Sequence, residues 1–397
     1  MSNRILFPVI AALAIAPGGA RAQASQEQAS REQESQEVDT TALKGQVDAL
    51  AEQVAEMKTD VSGLKKLRFS GYVQARWAWR EAAVYNATPA GAPALTNFTI
   101  RRARFKAVYD ADWSQYTLQI DATPRGVLLK EAYATLKLPK GLAIDAGLQL
   151  MPFGYEVLVR SSSDLDLLER SLTTSFYLAG EYDLGIALKG DYGPFNFKVG
   201  AFNGNGIGAW SFASGFSGLD NDQLKDFIGR IGFDYGMITG GVSGWYGKLI
   251  DYGSATDEKH DRYRVGADLQ VYLDLLPIGG TALKGEFIWG RTGSVAAATL
   301  DQTGHGWYAL ATQNIGKYQQ LAARWEEFTP NNTASTEGPA NTTVKTERQL
   351  QVALHSFVGQ AFKLSVAWYH PMNGARGEAA PDDPEADQWI AQAQVKF

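Results

Sequence analysis

Residues 69–77 have the sequence FSGYVQARW, in which apolar and polar side chains alternate with a period of two. Successive side chains of an extended strand point to opposite faces. One face would therefore carry Phe69 and Val73, and the other would carry Ser70 and Arg76. The pattern predicts a β-strand that is apolar on one side and polar on the other.

The same alternation recurs along the rest of the chain, in segments separated by turn residues. It predicts sixteen strands, at 68–80, 97–109, 113–122, 127–138, 141–152, 180–191, 194–203, 225–235, 238–249, 260–274, 279–291, 304–314, 317–328, 345–357, 361–371 and 386–397. Such strands build either a soluble sandwich, which hides its apolar face in a core, or a membrane barrel, which turns that face toward lipid.

The connections between the predicted strands favour the barrel. Short turns such as 110–112 and 139–140 alternate with long loops such as 81–96 and 204–224, and only 123–126 breaks the rule. Short turns at one end, long loops at the other and an even strand count are typical of outer-membrane barrels. We therefore predict an all-β protein, a 16-stranded antiparallel transmembrane β-barrel over residues 68–397.

The first 67 residues have a different character. Residues 1–22 have a basic start, a short apolar run and an Ala-Arg-Ala end, which predicts a cleaved signal peptide and export. Residues 23–42 form a polar leader. In 43–67, apolar residues follow an unbroken heptad spacing, which predicts a short N-terminal coiled-coil helix. This seam consists of Leu43, Val47, Leu50, Val54, Met57, Val61 and Leu64. Its Val and Leu positions favour two strands, and one amphipathic helix lying on the barrel is the alternative.

The composition excludes several classes of function. The chain of 397 residues has no Cys, so disulfide scaffolds, thiol catalysis and cysteine metal sites drop out. Its four His lie far from metal-ligand spacing, and no cofactor is expected. A net charge of -6 disfavours a protein that binds nucleic acid.

Barrel size suggests the function. A 16-stranded barrel leaves an aqueous channel, so passive diffusion of small hydrophilic solutes is the default expectation. The longest loop, 153–179, is expected to fold inward and narrow the pore, where its charges, including Arg160 and Arg170, would influence selectivity. A surface loop without a special role is the alternative.

Several short motifs, in order and at matching spacing, resemble the phosphate-selective porins of the O and P type. They are RFSGYVQ at 68–74, IRRARF at 100–105, KEAY at 130–133, GLQ at 147–149 leading to PFG at 152–154, LERSL at 168–172 and FNGNG at 202–206. The resemblance, which covers residues 67–397, implies a homotrimeric channel in outer-membrane lipid that passes phosphate or related anions through an arginine-lined lumen. The implied trimer disagrees with the two-stranded preference of the heptad seam, and we favour the trimer.

Arginine is suited to oxyanions because its planar guanidinium donates two parallel hydrogen bonds. Alternation places a set of basic residues on the polar face, namely Arg76, Arg80, Arg102, Arg104, Lys106, Arg230, Arg262 and Arg264. Alternation assigns Arg101 to the opposite, outward face, and we expect it at the rim of the barrel. Each of these arginines has an alternative role as the partner of a luminal carboxylate such as Asp121 or Asp268.

Two further functions stay open at this stage. One is a general or cation-preferring porin of the same fold, since residues 68–397 contain more acids than bases. The other is a secreted β enzyme or a structural tether. The expectation is a channel without enzymatic activity.

Overall fold

The computed structural model describes most of the chain. The described residues are 44–55, 57, 63, 65–81, 95–124, 126–178, 180–204, 206–207, 224–251, 258–292, 302–330, 332, 346–372 and 387–397. They belong to two compact units, Met1–Lys65 and Lys66–Phe397. The predicted signal peptide and polar leader lie outside the described residues.

The first unit is helical over residues 44–55. The apolar residues of the predicted seam that can be described, Val47, Leu50, Val54 and Met57, are all exposed. Leu43, Val61 and Leu64 lie outside the described residues. Among the described helices, none has the length and apolarity needed to span a membrane.

The second unit contains sixteen strands, each ending within two residues of its predicted ends. They are β1 (Leu67–Arg80), β2 (Leu95–Asp110), β3 (Ser114–Thr123), β4 (Gly126–Lys137), β5 (Leu142–Leu150), β6 (Tyr182–Tyr192), β7 (Phe195–Phe202), β8 (Asp226–Asp234), β9 (Ile238–Asp251), β10 (Glu258–Leu276), β11 (Gly279–Thr292), β12 (Gln302–Ile315), β13 (Gln319–Thr329), β14 (Glu347–Val358), β15 (Phe362–Pro371) and β16 (Gln388–Lys396).

The strands form one closed barrel. Each pairs antiparallel with its sequence neighbours, and β1 closes the ring against β16 with Tyr72 opposite Lys396 and Arg80 opposite Gln388. Closure leaves no strand edge unpaired, which a sheet in contact with lipid requires. The predicted 16-stranded barrel is therefore confirmed, and the sandwich alternative is wrong.

The faces of the barrel are inverted relative to a soluble protein. Apolar side chains on the outer face are exposed, for example Phe69 at 58% and Ile186 at 62%. Charged side chains on the inner face are buried, with Arg324 at 1% and Asp145 at 0%. An apolar outer belt around a polar interior is the arrangement of a barrel that spans a membrane.

The register shifts in three pairs of the described strands, and two of these shifts are β-bulges within β1–β4. Between β1 and β2, Gln74 pairs with Arg102 and Ala75 pairs with Ile100, so that Arg101 is the extra residue. Between β3 and β4, Gln119 pairs with Glu131 and Ile120 pairs with Leu129, so that Lys130 is the extra residue. A bulge turns the side chains that follow it, and both bulges insert a basic residue.

Candidate functional site: the lumen and its inward loop

The connection between β5 and β6 enters the barrel. It contains a π-helical turn, Gly154–Val159, and a short helix, Leu172–Tyr177. The Gly154 amide donates to Ser243 Oγ at 3.0 Å, and the Tyr155 amide donates to Glu286 Oε1 at 2.8 Å. Gly154 has a φ of 69°, and a Cβ there would lie 2.3 Å from Glu286 Oε1, so the turn needs glycine.

The middle of the loop contacts β11 again and then β14 and β16. Asp166 pairs with Lys284 on β11 at 2.8 Å, and its carbonyl lies 2.8 Å from Nε2 of His355 on β14. The Ser163 carbonyl accepts a hydrogen bond of 3.1 Å from Gln394 on β16. Contacts with several strands therefore hold the loop inside the barrel.

Glu169, on the returning half of the loop, binds three arginines. Its carboxylate lies 2.7 Å from Arg76, 2.6 Å from Arg101 and 3.3 Å from Arg102. Burial alone would raise the pKa of Glu169, but the three guanidinium groups outweigh it and lower the pKa to about 2. One negative charge thus neutralises only part of this arginine group.

Arg170 anchors the end of the loop. Its guanidinium donates two hydrogen bonds of 2.9 Å to the carboxylate of Glu181 and a further one to the carbonyl of Glu156. Burial alone would raise the pKa of Glu181, but Arg170 outweighs it, with help from Arg104, and lowers the pKa to about 2. The bidentate geometry holds both ends of the loop together.

Most of the other predicted site residues also have a carboxylate partner. The pairs are Arg104–Asp121 at 3.3 Å, Lys106–Glu131 at 2.6 Å, Arg160–Asp166 at 3.5 Å, Arg230–Asp268 at 2.7 Å and Arg262–Asp226 at 2.8 Å. The sequence left open whether these bases are free or paired, and in the structure they are paired.

Arg80 and Arg264 differ from this pattern. Arg80 is exposed at the end of β1 and forms no ion pair with a described residue. Arg264 is buried, and its Nε and Nη1 have no hydrogen-bond partner among the described residues. Its guanidinium carbon lies 3.9 Å from the centre of the Trp245 ring, which stabilises the cation through the face of the ring.

Several inward basic residues were not among the predicted site residues, and two of them, Arg101 and Lys130, lie at the bulges. Arg101 was expected at the rim, and this expectation is wrong because the bulge turns its side chain onto Glu169. Lys130 lies with its Nζ 5.3 Å from the centre of the buried Tyr182 ring. The available sequence signal is that Arg101-Arg102 and Lys130-Glu131 each put two adjacent charges into an alternating strand.

The wall formed by β1–β4 and residues 169–181 has more inward bases than carboxylates. Among the residues that the structure describes, its inward bases are Arg76, Arg101, Arg102, Arg104, Lys106, Lys130 and Arg170. Its carboxylates are fewer, namely Asp121, Glu131, Glu169 and Glu181. The local field is therefore positive although the protein as a whole is acidic.

No group of three His, Asp or Glu side chains within the described ranges is arranged to hold a metal ion. No family model matches the sequence. No curated protein matches it significantly either.

Solved structures do match. The anion-selective porin of Comamonas acidovorans superposes with a TM-score of 0.58 at 12% identity, over 83% of this chain and 98% of that chain. Pseudomonas putida OprB superposes with a TM-score of 0.60 at 12% identity, over 85% of this chain and 96% of that chain. The outer-membrane channel DcaP of Acinetobacter baumannii superposes with a TM-score of 0.59 at 10% identity, over 83% of this chain and 97% of that chain. The fold is that of outer-membrane porins. At these identities the likeness is one of fold.

Proposed function

We propose that this protein is a porin of the bacterial outer membrane that lets small anions, including phosphate and related oxyanions, diffuse through its lumen. The excess of inward bases over carboxylates on the β1–β4 wall carries the proposal. A permeating ion responds to the charge at the narrowest part of its path, and rings of basic side chains favour anions there.

The location follows from the outer surface. A closed barrel with an exposed apolar belt has its lowest free energy in a bilayer, and the solved proteins that share the fold are outer-membrane proteins. We further propose that the mature chain is exported after loss of residues 1–22 and assembles as a homotrimer. In this proposal the protein is a channel and has no enzymatic activity.

Purified protein in planar bilayers tests the proposal. With a tenfold KCl gradient across the bilayer, the reversal potential should have the sign of chloride preference. Added phosphate should reduce the chloride current if oxyanions enter the same path. A reversal potential near zero or of cation sign would reject anion preference, and absence of channels would reject the porin.

A cation-preferring porin is the second candidate. It is favoured by the pairing of most luminal arginines with carboxylates, because a paired guanidinium has less attraction left for an ion. The sign of the same reversal potential distinguishes the two candidates.

A further inference from the structure

Lys130 lies inside the barrel because of the bulge between β3 and β4. Its neighbour Leu129 is exposed on the apolar outer face, and its other neighbour, Glu131, is buried on the inner face. In a regular strand, adjacent side chains point to opposite faces, so either Lys130 or Glu131 would have pointed outward. The extra residue in β4 lets both charged side chains point inward.

Lys130 differs from the bases around it in having no acceptor among the described residues. Arg104 donates to Asp121 at 3.3 Å and to the Tyr182 hydroxyl at 2.8 Å, and Lys106 is paired with Glu131 at 2.6 Å. Lys130 forms neither a hydrogen bond nor an ion pair with any residue in the described part of the barrel. Its Nζ lies over the face of the Tyr182 ring, 5.3 Å from the ring centre.

The surroundings of Lys130 favour an anion. The ammonium lies within electrostatic reach of Arg102 and Arg104 as well as of Asp121 and Glu181. A lysine ammonium has three donors, and the described neighbours use none of them. Tyr182 accepts a hydrogen bond from Arg104, which leaves the proton of its own hydroxyl available as a further donor.

We propose that Lys130 is the contact point for the permeating anion in this wall, and that it selects by charge and not by the shape of the ion. The inference rests on the proposed function and deepens it. An ammonium is a compact point charge without the planar fork that distinguishes oxyanions. The fork of Arg104 is already used by Asp121 and Tyr182. Chloride and phosphate should therefore depend on Lys130 to the same degree.

The test compares Lys130→Met and Lys130→Arg with the unmodified full chain in planar bilayers. Met keeps the apolar contact with Tyr182 and removes the charge, whereas Arg keeps the charge. Loss of one unit charge a few ångström from the ion should lower the anion-to-cation permeability ratio about threefold. Lys130→Arg should keep that ratio, and so should the control Lys317→Met in an exposed turn. An unchanged ratio in Lys130→Met would overturn the inference.

A second measurement does not depend on how well Met folds. The chain has no cysteine, so Lys130→Cys introduces a single thiol. A cationic methanethiosulfonate reagent added to open channels should restore anion preference, and an anionic reagent should lower it further. The matched control is Leu129→Cys, whose side chain is on the outer face and should not respond. Equal responses at both positions would show that Lys130 does not face the ion path.

A comparison of phosphate with chloride tests whether Lys130 selects anions by charge alone. Chloride and phosphate permeability should fall by the same factor in Lys130→Met. A much larger loss for phosphate would show selection by shape and reject selection by charge alone. If the unmodified channel has no anion preference, the proposed function fails. A shift of the reversal potential toward cations in Lys130→Met would in that case still support Lys130 as an ion contact.

Discussion

Glu169 shows how one side chain determines the properties of its surroundings. It neutralises part of the charge of Arg76, Arg101 and Arg102, and it also fastens the loop to the wall that these arginines form. Buried ion pairs of this kind contribute little net stability, but removing one partner leaves the others uncompensated. In a lumen, uncompensated arginines attract anions.

Glu169→Gln keeps the size of the side chain and removes its charge. We expect the anion-to-cation permeability ratio to rise about threefold or more, because the three guanidinium groups lose their negative partner. Reversal potentials in a KCl gradient measure this ratio. The matched control is Glu327→Gln, which breaks the partly exposed Arg348–Glu327 pair and should leave the ratio unchanged. A fall in anion preference in Glu169→Gln would contradict this role.

At the level of elements, two of the carboxylates that hold the inward loop, Glu169 and Glu181, are ionised far below neutral pH. The pKa values of Glu169 and Glu181 are both about 2 in the folded protein, against an ordinary value of 4.5. Because these pKa values are lowered, the two groups stabilise the folded loop fully above pH 4.5. That stability is lost as the pH falls from 4.5 through 2.

The contacts made by Glu169 and Glu181 should therefore be lost only in acid. We expect single-channel currents to become larger and noisier as the pH falls below about 3, because these two groups are then increasingly protonated and release the loop. Single-channel recordings at pH 8, 5, 3 and 2.5 check this expectation. Currents that stay unchanged down to pH 2.5 would contradict the role of Glu169 and Glu181 in holding the loop.

The two β-bulges in β2 and β4 also change the composition of the lumen. Both insert a base into an otherwise alternating strand, and together they add Arg101 and Lys130 to the luminal wall. Parity counted along the sequence assigns Arg101 to the outside because it assumes regular pairing. A single extra residue in a strand changes which face the neighbouring side chains point to. No particular residue type is required at a bulge, so the sequence does not show where one occurs.

At the scale of the molecule, the two units have separate sources of stability. The barrel closes on itself through β1 and β16 and needs no other part of the chain for its hydrogen bonds. The helical segment has an apolar stripe whose described members include Val47, Leu50 and Val54, all of them exposed. We propose that the stripe associates with other copies of the chain, as the heptad spacing predicts.

Removing residues 23–66 while keeping the signal peptide should leave a barrel that inserts and conducts. The physical reason is that strand pairing and the lipid-facing belt, and not the helix, hold the channel open. Planar-bilayer recordings check conductance, and native mass measurement in detergent checks the oligomer. A correctly inserted truncation without current would show that the helix belongs to the pore.

The sequence by itself determined the barrel. Alternation with a period of two is a local property, so sixteen strands and their apolar and polar faces were visible residue by residue. Loop lengths then separated the barrel from a sandwich. The same alternation placed Arg76, Arg102 and Arg104 inside, where their contacts with Glu169 and Asp121 place them as well.

Only the tertiary structure decided which charges are neutralised. Arg324 pairs with Glu156, which is 168 positions away. Arg76 pairs with Glu169, 93 positions away, and also donates a hydrogen bond to Gln392, 316 positions away. Such pairs depend on barrel closure and on the path of one inward loop, and neither leaves a local pattern. The bulges that turn Arg101 and Lys130 inward depend likewise on the register between neighbouring strands. For this reason the sequence supplied the bases of the lumen, and the fold decided that Lys130 keeps its charge free of a carboxylate partner among the described residues.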